Sequence, residues 1–399
     1  MKIKKIVSIA VIGMLFFNAC NDEALKNVTL EEENLVTLDE QSGKIIPGQY
    51  VVVLNENSAK LSFTGNYDEQ VNEMKSYAKT FFRTKSSEEV EIDKAYVKAL
   101  RGFSVRMSEA LAMEIEKDDR ITYVVPDRMY IMRPPWENPD PDPEPTGQEV
   151  PYGIARVGYG SGVGKTAWIL DTGIDSDHPD LNVDAARSVD FTGSRKGWED
   201  ENGHGTHCAG TVAAIDNDFG VVGVAAGASV VAVRVLDRRG SGAYSGIIAG
   251  VDYVAANASP GDAANMSLGG GAYQPIDDAV YAASQQGINF ALAAGNESDD
   301  ANFHSPARVN GPNIFTISAM DSNDQWAYFS NYGNPPVDFC EPGVSVYSTA
   351  KGGGYESMSG TSMAAPHMCG ILLMTNGSPR TDGFVNGDPD GNADPIGTI

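Results

Sequence analysis

The sequence is poor in positive charge, in cysteine and in long apolar runs, and these shortages exclude several classes of protein. Lysine and arginine together number 29 against 54 aspartates and glutamates, which gives a formal net charge of −25. Such a surplus of negative charge argues against a nucleic-acid partner and favours solubility outside the cell. The apolar run Ile6 to Phe17 is shorter than the roughly 20 residues of a membrane-spanning helix. No other segment is apolar enough to cross a bilayer.

The first 20 residues have the pattern of an export signal. Lys2, Lys4 and Lys5 precede the apolar run, and Asn18-Ala19-Cys20 follows it as a cleavage zone. Cys20 resembles the lipidated cysteine of bacterial lipoproteins, and the alternative is ordinary signal-peptidase cleavage in which this cysteine is incidental. We expect a signal peptide over 1–20 and an acidic tether over 21–43. The protein is then exported, either held at the cell envelope by a lipid anchor or secreted.

Three separated segments carry the parts of a nucleophilic hydrolase. Asp171 ends the strand-like run Ala167 to Leu170, His204 stands where a helix begins, and Ser362 lies among glycine and small residues before a helix-like run. A serine hydroxyl needs a neutral imidazole to take its proton, and a buried carboxylate holds that imidazole in the required tautomer. Asp171, His204 and Ser362 are therefore the candidate catalytic residues.

The segments Ile169–Asp175, Asn202–Val212 and Ser359–His367 resemble the aspartate, histidine and serine signatures of the subtilisin family, most closely its proteinase K-like branch. The order aspartate, histidine, serine is also that of the family. The resemblance covers roughly Pro151 to Gly370 and implies a serine endopeptidase that cleaves extended polypeptides. It also places the base at His204 rather than His207.

The resemblance implies further site residues. Asn296 matches the amide that stabilises the oxyanion together with the backbone N–H of Ser362. Two glycine-rich segments match the edges that pair with an extended peptide. Small residues match one wall of the S1 pocket, which takes the side chain preceding the scissile bond, and their small size leaves room for a bulky apolar group. The substrate-binding candidates are Gly240, Ser241, Gly242, Ser267, Leu268, Gly269, Gly270, Ala293, Ala294 and Gly295.

A structural calcium ion is also implied by the resemblance, whereas catalysis needs no cofactor. The matching ligands are the Asp338 carboxylate and the carbonyls of Pro312 and Ile314, an oxygen-only set that suits Ca²⁺. The acidic stretch Asp388 to Asn392 fits a calcium loop poorly, and we expect a solvated tail there.

The four cysteines leave their pairing open. If Cys20 carries lipid, then Cys208, Cys340 and Cys369 remain, and an odd number cannot all form disulfides. His204, His207 and Cys208 suggest a zinc site, but neither HExxH nor paired CxxC spacing accompanies them, so the catalytic interpretation is favoured.

Residues 44–131 have the pattern of a separate small domain. Gly48–Leu54, Leu100–Met107 and Ile121–Val125 read as strands, and Asp68–Arg83 and Glu109–Lys117 as helices, which suits an α+β open-faced sandwich. Three of these segments resemble the inhibitory propeptide of subtilisins, which implies an intramolecular inhibitor. The proline-rich, acidic linker over 132–148 favours an extended and cleavable chain, so we expect self-processing between about Tyr130 and Glu149.

Residues 149–399 alternate between short apolar strands and helix-like runs. This alternation predicts an α/β fold with a largely parallel sheet and helices on both faces, whose ligands bind at the carboxyl ends of the strands.

Two other functions remain as alternatives to the peptidase. An esterase of the α/β-hydrolase class has a similar nucleophile segment, but its acid and histidine follow the serine. A non-catalytic surface binding protein on a peptidase scaffold is disfavoured by the complete set of catalytic residues.

Overall fold

Strands and helices of the N-terminal part follow the predicted order, with one strand added. A computed structural model describes residues 42–55, 59, 61–132 and 146–399. Within residues 42–132 the elements are β1 (Ile45–Leu54), α1 (Tyr67–Arg83), β2 (Glu91–Tyr96), β3 (Gly102–Arg106), α2 (Glu109–Ile115) and β4 (Ile121–Ile131).

The C-terminal part, residues 146–399, alternates between strands and helices. Its helices are α3 (Tyr152–Val157), α4 (His204–Ala213), α5 (Tyr244–Asn257), α6 (Gln274–Ser284) and α7 (Thr361–Thr375), with a 3-10 turn at Ala301–Phe303. Its strands are β5 (Gly160–Ser161), β6 (Thr166–Asp171), β7 (Asn182–Val183), β8 (Val189–Asp190), β9 (Ala225–Ala226), β10 (Ser229–Arg234), β11 (Ser241–Ala243), β12 (Ala263–Met266), β13 (Gly270–Gly271), β14 (Asn289–Ala293), β15 (His304–Ser305), β16 (Ile314–Met320), β17 (Val337–Pro342), β18 (Val346–Ala350), β19 (Gly354–Met358), β20 (Arg380–Phe384) and β21 (Pro395–Thr398).

The main sheet has the strand order β20-β21-β17-β16-β14-β12-β6-β10-β7, and its pairs are parallel except β20 with β21. In β6, Ala167 and Ile169 belong to the hydrophobic cluster shared with α4 and α7, whereas Trp168 and Leu170 belong to the cluster shared with α5 and α6. Successive side chains of a strand point to opposite faces, so a strand apolar at every position must be covered on both. The predicted α/β fold with helices on both faces is confirmed.

The parallel arrangement brings the predicted site segments to one edge of the sheet. Asp171 is the last residue of β6, and Asn296 follows β14 by three residues. Strands β6, β12 and β14 run side by side in the same direction. Their carboxyl ends therefore meet at the edge where such sheets bind ligands.

The N-terminal part is an antiparallel sheet, ordered β4-β1-β3-β2, with α1 and α2 on one face. Helix α1 begins with a capping box, in which the Asn66 side chain accepts from the Glu69 N–H and the Glu69 carboxylate accepts from the Asn66 N–H. The other face of the sheet, which includes Val51, Val53 and Tyr96, joins the hydrophobic cluster of α5. The open face of the sandwich is thus closed by the C-terminal part, and both parts belong to one compact unit.

Two buried carboxylates fasten the N-terminal part to α5. Asp252, on α5, accepts hydrogen bonds from three consecutive backbone N–H groups, those of Val97, Lys98 and Ala99, at 2.6–3.1 Å. In the reverse direction, the Asp127 carboxylate accepts from the backbone N–H of Ser245 in the first turn of α5 at 3.1 Å. A carboxylate at a helix N-terminus satisfies free N–H groups and complements the helix dipole.

The acidic stretch 388–392 is exposed or half-buried, as expected for a solvated segment, but it is a connection between two strands and not a free tail. Residues 388–392 connect β20 to β21, and β21 pairs with β17 through Cys340 and Ile396. Asp394 is buried and accepts a hydrogen bond of 2.6 Å from the Ser318 hydroxyl. Burial begins only after this stretch, because the apolar Ile396 adds its strand to the sheet.

Several expectations concern residues outside the described part of the chain. The signal peptide over 1–20, Cys20, nearly all of the tether over 21–43 and most of the linker over 132–148 lie there. Within the described ranges, each helix is too short or too polar to span a membrane.

Removing the Asp252 carboxylate tests whether it fastens the two parts. In the uncleaved chain, Asp252→Ala leaves three N–H groups, two of them on buried residues, without their acceptor, so we expect the free energy of unfolding to fall by about 3 kcal/mol. Urea denaturation measures the change, with the Ser362→Ala background keeping the chain intact. The matched control is Asp218→Ala at an exposed position, where a change within about 0.5 kcal/mol is expected. Equal losses in the two variants would contradict the assignment.

Candidate active site

The strand β6 delivers Asp171 to the carboxyl edge of the sheet in a fully buried position. Its Oδ1 accepts the backbone N–H of Thr172 at 2.7 Å. The chain then turns at Gly173, whose φ of +113° and close approach to the Trp198 carbonyl leave no room for a Cβ atom. The carboxylate is therefore held rigidly by the backbone around it.

His204, the first residue of α4, faces Asp171 directly. Its Nδ1 lies 2.8 Å from Asp171 Oδ1 and 3.0 Å from Oδ2, and since a carboxylate only accepts, Nδ1 carries the proton. Burial by itself lowers the pKa of His204, but the Asp171 carboxylate outweighs that effect and holds this pKa well above its usual value. The Asp171 carboxylate thus stabilises the imidazolium once it forms and leaves Nε2 as the ring atom that can take up and release a proton.

Asp200 organises the backbone around this pair. Its Oδ1 accepts the Thr172 hydroxyl at 3.0 Å and the Gly203 N–H at 2.9 Å, while its Oδ2 accepts the N–H and hydroxyl of Thr206. Thr172 follows Asp171, and Gly203 precedes His204. The buried carboxylate therefore ties the end of β6 to the start of α4.

Ser362 lies in the first turn of α7, beside the same cluster. Its hydroxyl donates to the Ser267 carbonyl at 3.3 Å, and its own carbonyl accepts from Ser267 Oγ at 2.7 Å and from Cys208 Sγ at 3.4 Å. Cys208 Sγ in turn lies 4.0 Å from His204 Nδ1. These contacts bring the three predicted catalytic residues into one region of the molecule.

Asn296 is fixed beside Ser362 by Thr361. The Asn296 Oδ1 accepts the Thr361 N–H at 2.8 Å and the Thr361 hydroxyl at 3.0 Å. Asn296, Thr361 and Ser362 all line one cavity. Thr361 thus engages the amide oxygen of Asn296 at the wall of this cavity, which leaves the amide nitrogen without a part in these two bonds.

A segment of the chain itself lies along one predicted substrate edge. In an antiparallel register, β11 pairs Ser241 with Ile131 and Gly242 with Tyr130, and the Met132 N–H donates to the Gly240 carbonyl at 2.9 Å. This pairing adds an extended strand to a sheet edge. The cavity beside it is lined by six of the predicted substrate-binding and oxyanion residues, namely Leu268, Gly269, Gly270, Ala293, Gly295 and Asn296. Ala294 is buried in a neighbouring apolar cluster, and Ser267 contacts Ser362.

Three other histidines have structural partners. The ring of His207 donates to the carbonyls of Val346 and Glu356, and burial lowers its pKa to about 3. Burial also lowers the pKa of His367 to about 4, and its Nδ1 donates to the Met363 carbonyl. The ring of His178 accepts from the Asp180 N–H and donates to the Gly354 carbonyl.

The disfavoured zinc set of His204, His207 and Cys208 does not come together as one group. Among the described residues, the one group of histidine, cysteine and acidic side chains close enough to share an ion is Asp171, His204 and Cys208, so His207 lies outside it. In that group the His204 Nδ1 already donates to Asp171. Cys208, Cys340 and Cys369 are buried free thiols.

Asp338 lies on β17, next to the start of β16. Val337 pairs with Thr316, and the Thr316 N–H donates to Asp338 Oδ2 at 2.9 Å. Burial raises the pKa of Asp338 to about 6. Ile314 is the first residue of β16, and Pro312 precedes it by two residues. One carboxylate oxygen is thus committed to a backbone amide, and burial makes the charged form of this side chain costly.

Sequence reasoning missed four residues of this region: Asp200, Thr361, Glu297 and His304. Asp200 and Thr361 each lie within four residues of a candidate catalytic residue, His204 or Ser362. A polar residue this close in sequence indicates a side chain that holds the catalytic residue in position. Glu297 and His304 line the cavity beside Ser362. Glu297 directly follows Asn296, whereas His304 is brought there by the pairing of β15 with β13, which no local pattern revealed.

Two family profiles match the chain. One, described as the subtilase family, covers residues 164–378, and the other, described as peptidase inhibitor I9, covers residues 49–132. The first spans more than half of the chain and contains every candidate catalytic residue. The second coincides with the small N-terminal sandwich.

Known proteins resemble both parts. Alkaline serine exoprotease A of Vibrio alginolyticus is 36% identical over 71% of this chain, which spans about half (53%) of that relative. An extracellular serine proteinase of a Thermus strain is 33% identical over 91% of this chain and 88% of its own length. The crystal structure of a cold adapted subtilisin-like serine proteinase shares 36% identity at a TM-score of 0.55, covering 61% of this chain and 96% of that one. The chain belongs to the subtilase family of serine endopeptidases and carries an I9-type inhibitor domain before its catalytic domain.

Proposed function

We propose that this protein is an exported serine endopeptidase that cleaves extended polypeptides and is made as an autoinhibited precursor. The observation that carries the proposal is the buried hydrogen bond between His204 Nδ1 and Asp171, next to Ser362. In this assignment His204 is the general base, Asp171 orients it, and Ser362 is the nucleophile.

Catalysis begins when the Ser362 hydroxyl exchanges its hydrogen bond to Ser267 for one to His204 Nε2. The Ser362 Oγ then bonds to the carbonyl carbon of the substrate while His204 takes its proton. Asp171 stabilises the imidazolium formed at this step, in accord with the raised pKa of His204. The imidazolium gives the proton to the leaving amine. In the second half of the reaction His204 takes a proton from water, whose oxygen bonds to the acyl carbon, and the imidazolium then returns a proton to Ser362 Oγ as the acyl group leaves.

The oxyanion of the tetrahedral intermediate accepts from the Asn296 amide nitrogen and the Ser362 N–H. Thr361 supports this role because it holds the amide oxygen and thereby orients the nitrogen. A donor fixed before the reaction costs no reorganisation when charge develops, which makes such groups effective in catalysis.

The N-terminal domain inhibits the enzyme by occupying the substrate edge. The pairing of β4 with β11 supports this, because residues 129–131 lie along the predicted substrate edge and the linker follows them. We infer that cleavage falls in the linker between about Tyr130 and Glu149 and separates domains over 44–131 and 149–399.

Replacing the nucleophile tests this scheme. Ser362→Ala should abolish casein hydrolysis and leave the precursor at full length; removal of the equivalent serine of subtilisin lowers kcat about 10⁶-fold. Mass spectrometry of the purified chain and an assay with a serine-directed phosphonylating reagent measure both effects. Ser378→Ala, at an exposed position, is the control and should be processed normally. Activity of Ser362→Ala within tenfold of the unaltered enzyme would refute the assignment.

A structural Ca²⁺ ion bound by Asp338 and the carbonyls of Pro312 and Ile314 forms a second part of the proposal. The place of the Asp338 carboxylate beside the start of β16, close to both carbonyls in sequence, supports it. An oxygen-only set suits this hard cation. The ion stabilises the fold and takes no part in bond cleavage.

Removal of calcium should lower thermal stability. A ligand present at about 100 times its Kd adds about 2.7 kcal/mol, so EGTA should lower the Tm by roughly 5–10 °C. Differential scanning calorimetry of the mature enzyme with saturating CaCl₂ or with EGTA measures the shift. Asp338→Asn should remove the difference, and Asp218→Asn should retain it. A calcium effect unchanged in Asp338→Asn would place the ion elsewhere.

Lipidation of Cys20 is the third part of the proposal, and it would anchor the protein to a membrane surface. Its support is the sequence Lys2 to Cys20, with its charged start, apolar run and final cysteine.

Labelling with radioactive palmitate in a bacterial host tests the anchor. The unaltered chain should carry label and sediment with membranes, whereas Cys20→Ser should lose both properties because its thiol is the acceptor. Cys340→Ser is the matched control and should remain labelled. Label that persists in Cys20→Ser would exclude this position.

A further inference from the structure

The exposed positive charge of the catalytic part is concentrated beside the start of α4. Residues 146–399 contain 11 lysines and arginines against 29 acidic residues, and six of the 11 are exposed. One of the six, Arg380, lies on β20. The other five lie in three loops and are called here the cationic rim: Arg195, Lys196, Arg238, Arg239 and Lys351. A surface that is otherwise acidic therefore offers one cationic region, next to His204.

Hydrogen bonds hold the three loops of the cationic rim together. The Asn202 side chain donates to the Arg238 carbonyl at 3.2 Å. Lys351 Nζ donates at 2.9 Å to the backbone carbonyl of the residue before Asn202. The buried Arg234 guanidinium donates to two carbonyls of the loop 195–199, at 3.1 and 2.6 Å. The rim is thus one connected surface and not a set of unrelated side chains.

The acidic side chains of the same loops are bonded to internal donors. Glu201 pairs with the buried Arg234 at 2.9 Å. Asp237 accepts two backbone N–H groups of its own turn at 2.8 and 3.0 Å, and Asp190 accepts three at 2.9–3.0 Å. Glu199 accepts one backbone N–H at 3.2 Å. These loops therefore direct their carboxylates at the protein and their exposed cations at solvent.

Arg238 and Arg239 are the least compensated cations of the rim. The side chain of Arg239 is 69% exposed and lies 3.7 Å from Asp237, which is already engaged by backbone N–H groups. Lys351, in contrast, lies near Glu356, which offsets part of its charge. The two arginines are therefore the members of the rim to substitute in a test.

The inhibitor domain ends at these arginines. The Met132 N–H donates at 2.9 Å to the carbonyl of Gly240, the residue that follows Arg239. The linker that continues from Met132 contains one base, Arg133, and four acids between there and Thr146. The four acids are Glu137, Asp140, Asp142 and Glu144. An acidic segment thus begins next to the two exposed arginines.

The far end of the linker also returns to a loop of the rim. Glu149 pairs with Val221, and the Val221 N–H donates to Asp180 Oδ2 at 3.0 Å. The same carboxylate oxygen accepts the Tyr355 hydroxyl at 3.2 Å. Tyr355 belongs to the hairpin of β18 and β19, whose turn carries Lys351. The two described ends of the linker therefore lie on either side of the rim.

We propose that the cationic rim is the docking surface for the acidic linker of the precursor and guides the linker during self-processing. This rests on the proposed peptidase function and names a regulation of its active site. Opposite charges on the linker and the rim supply the attraction. Exposed ion pairs are individually weak, but the linker is tethered at both ends, so its effective concentration at the rim is high.

Digestion of the Ser362→Ala precursor by a glutamate-specific endoproteinase tests docking without the activity of this protein. A docked segment is cut only when it opens, so Arg238→Gln/Arg239→Gln should speed cleavage after Glu137 by at least about threefold at about 0.05 M salt. At about 0.5 M salt, screening should remove the difference. Cleavage after the exposed Glu89 of the inhibitor domain is the internal reference.

Lys165→Gln/Arg380→Gln is the matched control because it removes the same charge outside the rim. It should leave cleavage after Glu137 unchanged. Equal rates in the rim variant and the control, or an acceleration that persists at high salt, would overturn the proposal.

Self-processing of the active chain measures the consequence of docking. The rim variant should form mature chain about threefold to tenfold more slowly. A linker variant with its last three acids neutralised (D140N, D142N, E144Q) should be slowed equally, and adding the rim substitutions to it should have no further effect. Additive losses would overturn the proposal. If the unaltered chain is not processed at all, the peptidase function fails, and the digestion still decides whether the linker docks.

An uncharged substrate separates docking from damage to the active site. For acetyl-Ala-Ala-Ala-p-nitroanilide, kcat/KM of the processed rim variant should stay within about twofold of the unaltered enzyme, after titration of active sites with the phosphonylating reagent. A loss on this substrate equal to the loss in processing would overturn the proposal. So would a rim variant that processes normally but cleaves an acidic peptide more slowly, since the rim would then bind substrates and not the linker.

Discussion

The buried hydrogen bond between Asp171 and His204 is the interaction on which the active site depends. A carboxylate without solvent must be paired, and here its partners are a backbone N–H and the imidazole. Both hydrogen bonds require a fixed backbone. The end of β6 holds the carboxylate and the N–H group, and the first turn of α4 holds the imidazole. Asp200 joins these two segments, so the geometry of the pair follows from a network of buried hydrogen bonds and not from one contact.

Helix α5 joins the inhibitor domain to the catalytic domain, as Asp200 joins β6 to α4. One face covers the main sheet, and another receives the open face of the N-terminal sandwich. Its Asp252 binds three N–H groups of the inhibitor domain, while its first turn is capped by Asp127 of that domain. Just before the helix, β11 pairs with β4. One short stretch of chain thus couples inhibitor docking to occupation of the substrate edge.

Fold and family followed from the sequence because their signals are local or strongly patterned. Strand-like runs such as Ala167–Leu170 are apolar at each position, and the helix over Asp68–Arg83 shows one apolar face. The added strand β2 and the hairpin of β20 and β21 were missed. Strand β2 (Glu91–Tyr96) lies at an edge of its sheet and carries charged residues, so it lacks the apolar pattern that predicts a strand. The last hairpin gains its stability from pairing with β17, which is remote in sequence.

The sequence by itself determined the types and order of the reacting groups, because an aspartate, a histidine and a serine in three distinctive segments rarely occur in this order by chance. It also indicated the small inhibitor domain and its linker. Only the tertiary structure decided how Thr361 orients Asn296 and why Glu297 and His304 share a wall with Ser362. Those contacts join segments that lie tens of residues apart, and their formation depends on strand pairing and burial that single segments do not encode.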